Sequence, residues 1–179
     1  MSASIETITL GGGCFWCLEA VYLRVRGVTA VESGYSNGHV KNPSYEQVCG
    51  GDTGHAEVVR VSFDTAQISL RDVLEIFFTI HDPTTLNRQG NDVGTQYRSG
   101  IYVENAEQEG VAREVLAEVD AHHGGGAVTE IVPLQDYSRA EDYHQRYFED
   151  HPNQAYCAFV VAPKVQKFSK NFASRLKSV

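Results

Sequence analysis

The sequence predicts a mixed α/β fold in which helices pack on one sheet as a two-layer sandwich. Stretches that alternate apolar and polar residues recur between stretches with apolar residues at helical spacing. Short glycine turns join them, and neither an internal repeat nor a low-complexity tract interrupts the order.

Residues 5–10 alternate as a strand does, and after Gly11, Gly12 and Gly13 the run 14–25 reads as a helix, so Cys14 falls at a strand-to-helix turn. Residues 56–63 are strand-like again. Ser69 then opens a helix with Leu70, Val73, Leu74, Phe77 and Phe78 on one face, and the Ser69 to Asp72 spacing is that of a capping box. Residues 101–103 and 128–132 read as strands separated by a helix over 106–122, with Asn105 as its cap. A helix over 140–149, a strand over 156–162 and an amphipathic tail to Val179 complete the expected order. The segments 33–56 and 81–100 lack periodicity and are rich in Gly, Asn, Asp, Pro, Thr and Tyr, which marks them as functional loops.

A chain of 179 residues, 42% hydrophobic, has the size of a single domain over 1–179 and needs no disulfide to fold; such a domain buries about 70% of its unfolded surface. The net charge of -8, from 23 acidic against 15 basic residues, argues against nucleic acid and against anionic membranes, both of which select basic patches. No segment approaches the roughly 20 apolar residues of a membrane span, and the first residues lack a basic, then apolar leader, so a cytosolic location is expected. Cys14, Cys17, Cys49 and Cys157 are too few and too unevenly spaced for a disulfide framework. They are either core thiols or reactive ones.

A cysteine in the first turn of a helix meets free backbone N–H groups and the positive end of the helix dipole, which favour thiolate and make Cys14 a candidate nucleophile. The three glycines before it do not form a dinucleotide fingerprint, because position 16 is Trp, and no Gly-Lys-Ser/Thr follows. They are expected to admit a substrate close to the backbone. Of the adjacent aromatics Phe15 and Trp16, at least one must point away from the core. In Gly54-His55-Ala56-Glu57 a carboxylate opens an apolar strand; screened from water, Glu57 would keep its proton at neutral pH. In the loop 89–99, Asp92 and Tyr97 can project hydrogen-bonding groups into a cleft.

Gly13-Cys14-Phe15-Trp16, Gly54-His55-Ala56-Glu57 and Gln89-Gly90-Asn91-Asp92 through Tyr97-Arg98-Ser99 together resemble the A-type peptide-methionine sulfoxide reductases. Ser33-Gly34-Tyr35, Asn42-Pro43-Ser44-Tyr45 and Glu141-Asp142-Tyr143-His144-Gln145 join them in the family's order, so the likeness runs over residues 5–170. The resemblance implies a largely antiparallel mixed sheet with a ferredoxin-like core. It implies reduction of the S epimer of free and peptide-bound methionine sulfoxide: Cys14 attacks sulfur, Phe15 and Trp16 receive the S-methyl group, and Glu57 protonates the sulfoxide oxygen. Tyr45, Asp92 and Tyr97 match the family's oxygen- and water-binding positions. It further implies oxidised proteins as substrates, thioredoxin as reductant, and neither metal nor bound cofactor.

The product left on the enzyme is a Cys14 sulfenic acid, which a second thiol converts to a disulfide. The resemblance favours Cys157 as that thiol, although the glycine-rich tail of the commonest family form is missing after it. Cys17 stands where glycine is frequent in the family; residues i and i+3 at a helix start meet the Cα separation of about 4.4 to 6.8 Å that a disulfide requires, which makes Cys17 the alternative. Cys49 is a third choice.

Three rival readings remain open at this point. Cys14-Phe15-Trp16-Cys17 has the spacing of a dithiol oxidoreductase. Cys14, Cys17 and Cys49 with Cys157 or His55 supply the donors of a zinc site. Cys14, His55 and Asn91 supply those of a cysteine hydrolase.

Overall fold

A computed structural model describes residues 4–177; Ser178 and Val179 of the expected tail lie outside them. In chain order the elements are β1 (Ile5–Gly11), α1 (Phe15–Tyr22), β2 (Val28–Ser36), α2 (Tyr45–Cys49), β3 (Ala56–Asp64), α3 (Leu70–Ile80), the two-residue strands β4 (Arg88–Gln89) and β5 (Asp92–Val93), β6 (Gly100–Val103), α4 (Ala106–His122), β7 (Glu130–Pro133), β8 (Ser138–Arg139), α5 (Tyr147–Asp150) and α6 (Ala162–Asn171). Six strands form one sheet in the order β7-β6-β1-β3-β2-β8, and β4 pairs separately with β5. Every neighbouring pair in the large sheet is antiparallel except β6 with β7.

The inner strands with α1 and α3 make the order β1-α1-β2-β3-α3-β6, with β3 inserted between β1 and β2. This split β-α-β arrangement is the expected ferredoxin-like core. The strand period of two divides its faces: Val59, Val61 and Phe63 of β3 join Ile8, Leu10 and the helices, while Ala56 and Val58 join Tyr102 on the other side. Each fully buried Val, Ile, Leu or Phe among them stabilises the fold by about 1.5–3 kcal/mol.

Helix starts follow the side chains expected to cap them. Ser69 accepts from the Asp72 N–H at 3.1 Å while Asp72 accepts from the Ser69 N–H at 3.4 Å. Asn105 accepts from the Gln108 N–H at 2.8 Å. A capping box of Ser44 and Gln47 starts α2. Among the described residues no helix is long and apolar enough to cross a membrane.

Three expectations fail. The segment 33–56 is not all loop: its first residues continue β2 to Ser36, and α2 lies within it. The expected strand over 156–162 is helical, a π-helix at Cys157–Val161 running into α6. Its apolar run hides a helical period, because Cys157, Val161 and Phe168 are buried while Phe159 is 81% exposed. The expected helix over 140–149 is instead a 3-10 turn at Asp142–His144 and the single turn of α5, following β8. Gln145 decides this: its side-chain amide accepts from the Ser33 N–H and donates to the Ser33 and Ala140 carbonyls at 2.9–3.1 Å, so tertiary bonds replace helical ones.

Candidate active site

Two neighbouring strands bring the central pair together. β1 ends in the glycine turn that makes Cys14 the N-cap residue of α1. Gly13 has φ +91, and a Cβ there would lie 2.7 Å from the Gln89 side chain; glycine there permits this close packing. In β3, Glu57 has the parity of Val59 and Val61, so it points to the helix face and reaches the start of α1. The Phe15 N–H donates to Glu57 Oε1 at 3.2 Å, while Oε2 is buried without a partner.

Glu57 is 1% exposed. Burial pushes its pKa up to about 8, with the Phe15 N–H opposing and the Asp92 charge adding to the rise. Glu57 therefore holds its proton at neutral pH, as expected for a screened carboxyl. Since Oε1 accepts from the backbone, the unpartnered Oε2 is the oxygen free to donate that proton to a ligand.

Cys14 contradicts the expectation of a resting thiolate. Burial raises its pKa well above the ordinary value, and Glu57 and Cys17 add to the rise. The Trp16 N–H and the Tyr156 hydroxyl oppose it. The helix start acts in the expected direction, but the loss of solvent is the larger effect. The resting site thus pairs a thiol with a neutral carboxylic acid.

Aromatic rings wall the site. Phe15 is fully buried, 5.7 Å from Tyr35 and stacked 6.4 Å from Tyr45 between ring centroids. Trp16, the partly exposed member of the pair, donates its indole N–H to His144 Nδ1 at 3.1 Å and stacks on Tyr147. Because His144 Nδ1 accepts, its proton sits on Nε2, which is buried without a partner. Glu141 fixes the Tyr35 and Tyr45 side, accepting from the Tyr35 hydroxyl at 2.8 Å and the Tyr45 N–H at 2.9 Å.

Tyr45 opens α2, Tyr97 ends a 3-10 turn and Asp92 lies on β5. Burial, then the Glu57 charge, raises both tyrosines, so their hydroxyls remain hydrogen-bond donors. The Tyr156 hydroxyl donates to Asp92 Oδ2 at 2.5 Å and lies within hydrogen-bonding reach of the Cys14 and Cys17 sulfurs. Beyond this pair opens a cleft of about 740 Å³, lined in part by Gln89, Asn91, Phe159 and Lys164. Sequence reasoning assigned no role to Tyr156, His144 or Glu141. The block containing Glu141 and His144 was the available signal, whereas Tyr156 was hidden by its misread strand.

All four cysteines are free. Cys17 and Cys157 lie with Cys14 in the main core, and burial pushes Cys17 up to about 11 against the opposing effects of Lys164 and the Tyr156 hydroxyl. Cys49 alone is exposed, beside the Tyr45 hydroxyl. Among the described residues no group of three or more His, Cys, Asp or Glu is placed to hold a metal ion, so the zinc donors do not assemble. Nor does the hydrolase set: His55 accepts the Gly38 N–H at Nδ1 and bonds the Val40 carbonyl through Nε2, fastening a loop to β3. Both of its ring nitrogens are committed to backbone.

A family model described as peptide methionine sulfoxide reductase matches residues 6–176. A relative named peptide methionine sulfoxide reductase, from Saccharolobus solfataricus, is 57% identical over 173 residues, covering 97% of this chain and 98% of its own. Reduced Mxr1 from Saccharomyces cerevisiae superposes with a TM-score of 0.80 at 38% identity, over 86% of this chain and 89% of that one. The structure of Mxr1 in complex with Trx2 superposes at 0.56 and 26% identity, over 80% of this chain and 84% of that one.

Proposed function

Because this chain belongs to the peptide methionine sulfoxide reductase family, we propose that the paired thiol and carboxylic acid at Cys14 and Glu57 carry its reduction of methionine sulfoxide, as one domain acting on free and protein-bound substrate. The observation that carries this reading is Glu57 Oε2, a buried acid oxygen without a protein partner beside the α1 start. Sulfoxide oxygen leaves sulfur only once protonated. Glu57 gives its proton to that oxygen as the Cys14 sulfur bonds to the substrate sulfur and the thiol proton returns to Glu57; the hydroxyl then passes from the substrate sulfur to Cys14 as the new sulfur-sulfur bond breaks. Methionine and a Cys14 sulfenic acid result. Tyr45 and Tyr97 donate to the oxygen in flight, Asp92 orders the far side through Tyr156, and Phe15 and Trp16 receive the methyl group.

A chiral sulfur satisfies the methyl wall and the acid together in one hand. The S epimer of methionine sulfoxide is expected to turn over and the R epimer to give near silence. Comparable rates on the resolved epimers would remove this pocket assignment.

Cys157 is proposed to resolve the sulfenic acid, with Cys17 as the alternative and Cys49 third. Cys157 follows Tyr156, whose hydroxyl reaches the Cys14 sulfur, and it sits in a π-helix, a short and weak form of helix from which it can be released. The Cys157 thiol and the sulfenic acid give a disulfide and water, and a thioredoxin reduces the disulfide, as the complex of yeast Mxr1 with Trx2 supports. Mass mapping after one turnover without thioredoxin is expected to find a Cys14 to Cys157 link. A Cys14 to Cys17 link would transfer the role, and persistent sulfenic acid would remove both. Four unpaired thiols suit a reducing compartment, and we assign the enzyme to the cytosol.

A further inference from the structure

Glu19 is a buried carboxyl that the sulfoxide chemistry does not use. It lies on α1 three residues after Trp16 and is 1% exposed. Its Oε2 accepts the Arg146 N–H at 2.9 Å and lies 3.5 Å from the Ser33 hydroxyl. Oε1 is buried without a partner.

The backbone that Glu19 holds is strained and otherwise uncapped. Arg146 has φ 59, the left-handed region, and starts α5 without a side-chain cap bond of its own. The next residue, Tyr147, lies flat on Trp16 with ring centroids 3.9 Å apart and planes 9° from parallel. Trp16 is thus held by the His144 bond, an edge contact from the Tyr156 ring and the Tyr147 stack, and Glu19 anchors the last.

We propose that Glu19 is a positioning residue of the methyl pocket: by capping the Arg146 amide from α1, it fixes the start of α5 and so holds the Tyr147 ring as the backing of the Trp16 indole. This rests on the assignment of Trp16 to that pocket. The charges facing Glu19 are few. Arg146 presents its backbone N–H and its charge, both of which lower the Glu19 pKa, Glu149 of α5 raises it and is itself paired to Arg24 at 2.6 Å, and β2 contributes only the neutral Ser33. Burial is the main cause that pushes Glu19 up to about 7. The folded chain therefore holds this proton more tightly than the unfolded one, and stability declines as pH rises from the ordinary carboxylate range through about 7. Over the same interval the carboxylate becomes the stronger acceptor for the Arg146 amide and tightens the Tyr147 backing.

Trp16 is the one tryptophan of the chain, so tryptophan emission reports on this ring alone. Wild type is expected to show an emission step with a midpoint near 7 that Glu19→Gln lacks. The His144 pKa is lowered by burial and the Glu57 pKa is raised to about 8, so their steps fall on either side and survive the substitution. KM for methionine sulfoxide is expected to rise about fivefold in Glu19→Gln with the single-turnover rate within about twofold of wild type, the pattern of lost ground-state positioning. Adding Tyr147→Leu to Glu19→Gln is expected to change KM no further, because both act through one contact. If Glu19→Gln fails to fold, Tyr147→Leu alone must reproduce the emission change and the KM rise. Wild-type emission and KM in a folded Glu19→Gln, or an unchanged KM in Tyr147→Leu, overturn the proposal while a raised KM in Trp16→Leu leaves the pocket standing. An unchanged KM in Trp16→Leu removes the pocket reading itself.

Discussion

Cys14→Ser is expected to lose all measurable turnover and to form no oxidised intermediate. A serine hydroxyl is a weak nucleophile that needs an adjacent base, and the neighbourhood holds none. Glu57 is protonated at neutral pH because burial raises it to about 8. The buried histidines are committed: His55 to the Gly38 N–H and the Val40 carbonyl, His81 to the Phe77 carbonyl and the Ser99 hydroxyl, and His144 Nδ1 to the Trp16 indole. The measurement is methionine released from pre-reduced enzyme, with trapping of any sulfenic acid by mass. Retention of about a tenth of the wild-type rate would show that another residue attacks, since loss of a covalent nucleophile removes the whole pathway. Unchanged Trp16 emission in the variant separates this loss from a collapse of the pocket.

Glu57→Gln is expected to slow the first step by about 100-fold or more, the usual size of a lost general acid and equivalent to about 2.7 kcal/mol of barrier. Glutamine fills the same space and its carbonyl can still accept the Phe15 N–H, so what disappears is the transferable proton at Oε2. Single-turnover release of methionine isolates this step from disulfide recycling. In wild type the rate should fall as pH rises through about 8, because the acid form is then lost, and the Gln variant should lack that limb. Stability supplies an independent check. A carboxyl whose folded pKa is raised binds its proton more tightly in the folded state, so wild-type stability falls as pH climbs from the ordinary carboxylate range through about 8. Glu57→Gln should flatten that decline. An unchanged first step removes Glu57 from the chemistry whatever its effect on stability.

Much of the fold was legible because local pattern and tertiary demand agreed. Residues at α3 and α4 carry their own caps in Ser69, Asp72 and Asn105, and the α3 apolar stripe matches the face it buries. Where they disagreed, tertiary bonds won. The residues after Ala140 have helical composition, yet the Gln145 amide pairs with the Ser33 backbone and Glu19 takes the Arg146 N–H, which leaves one helical turn. The apolar run 156–162 contains β-branched residues, yet it must cover α1 with Cys157 and Val161, and it does so as a helix. A short apolar run carries no period long enough to separate the two states.

The candidate site divides the same way. The sequence by itself determined the chemical inventory: a cysteine at a helix start, a carboxylate opening an apolar strand, aromatics beside the thiol, and the family motifs that order them. Only the tertiary structure decided the protonation states and the supporting contacts. Whether Cys14 rests as thiol or thiolate depends on how completely the folded chain excludes water from its sulfur, and that exclusion outweighs the helix N-terminus that the sequence displays. Glu57 keeps its proton for the same reason, because the β3 register turns it inward beneath α1. Tyr156, His144 and Glu19 act across more than 60 residues of chain, and a period of two or of 3.6 residues cannot encode which distant side chain a hydrogen bond will find.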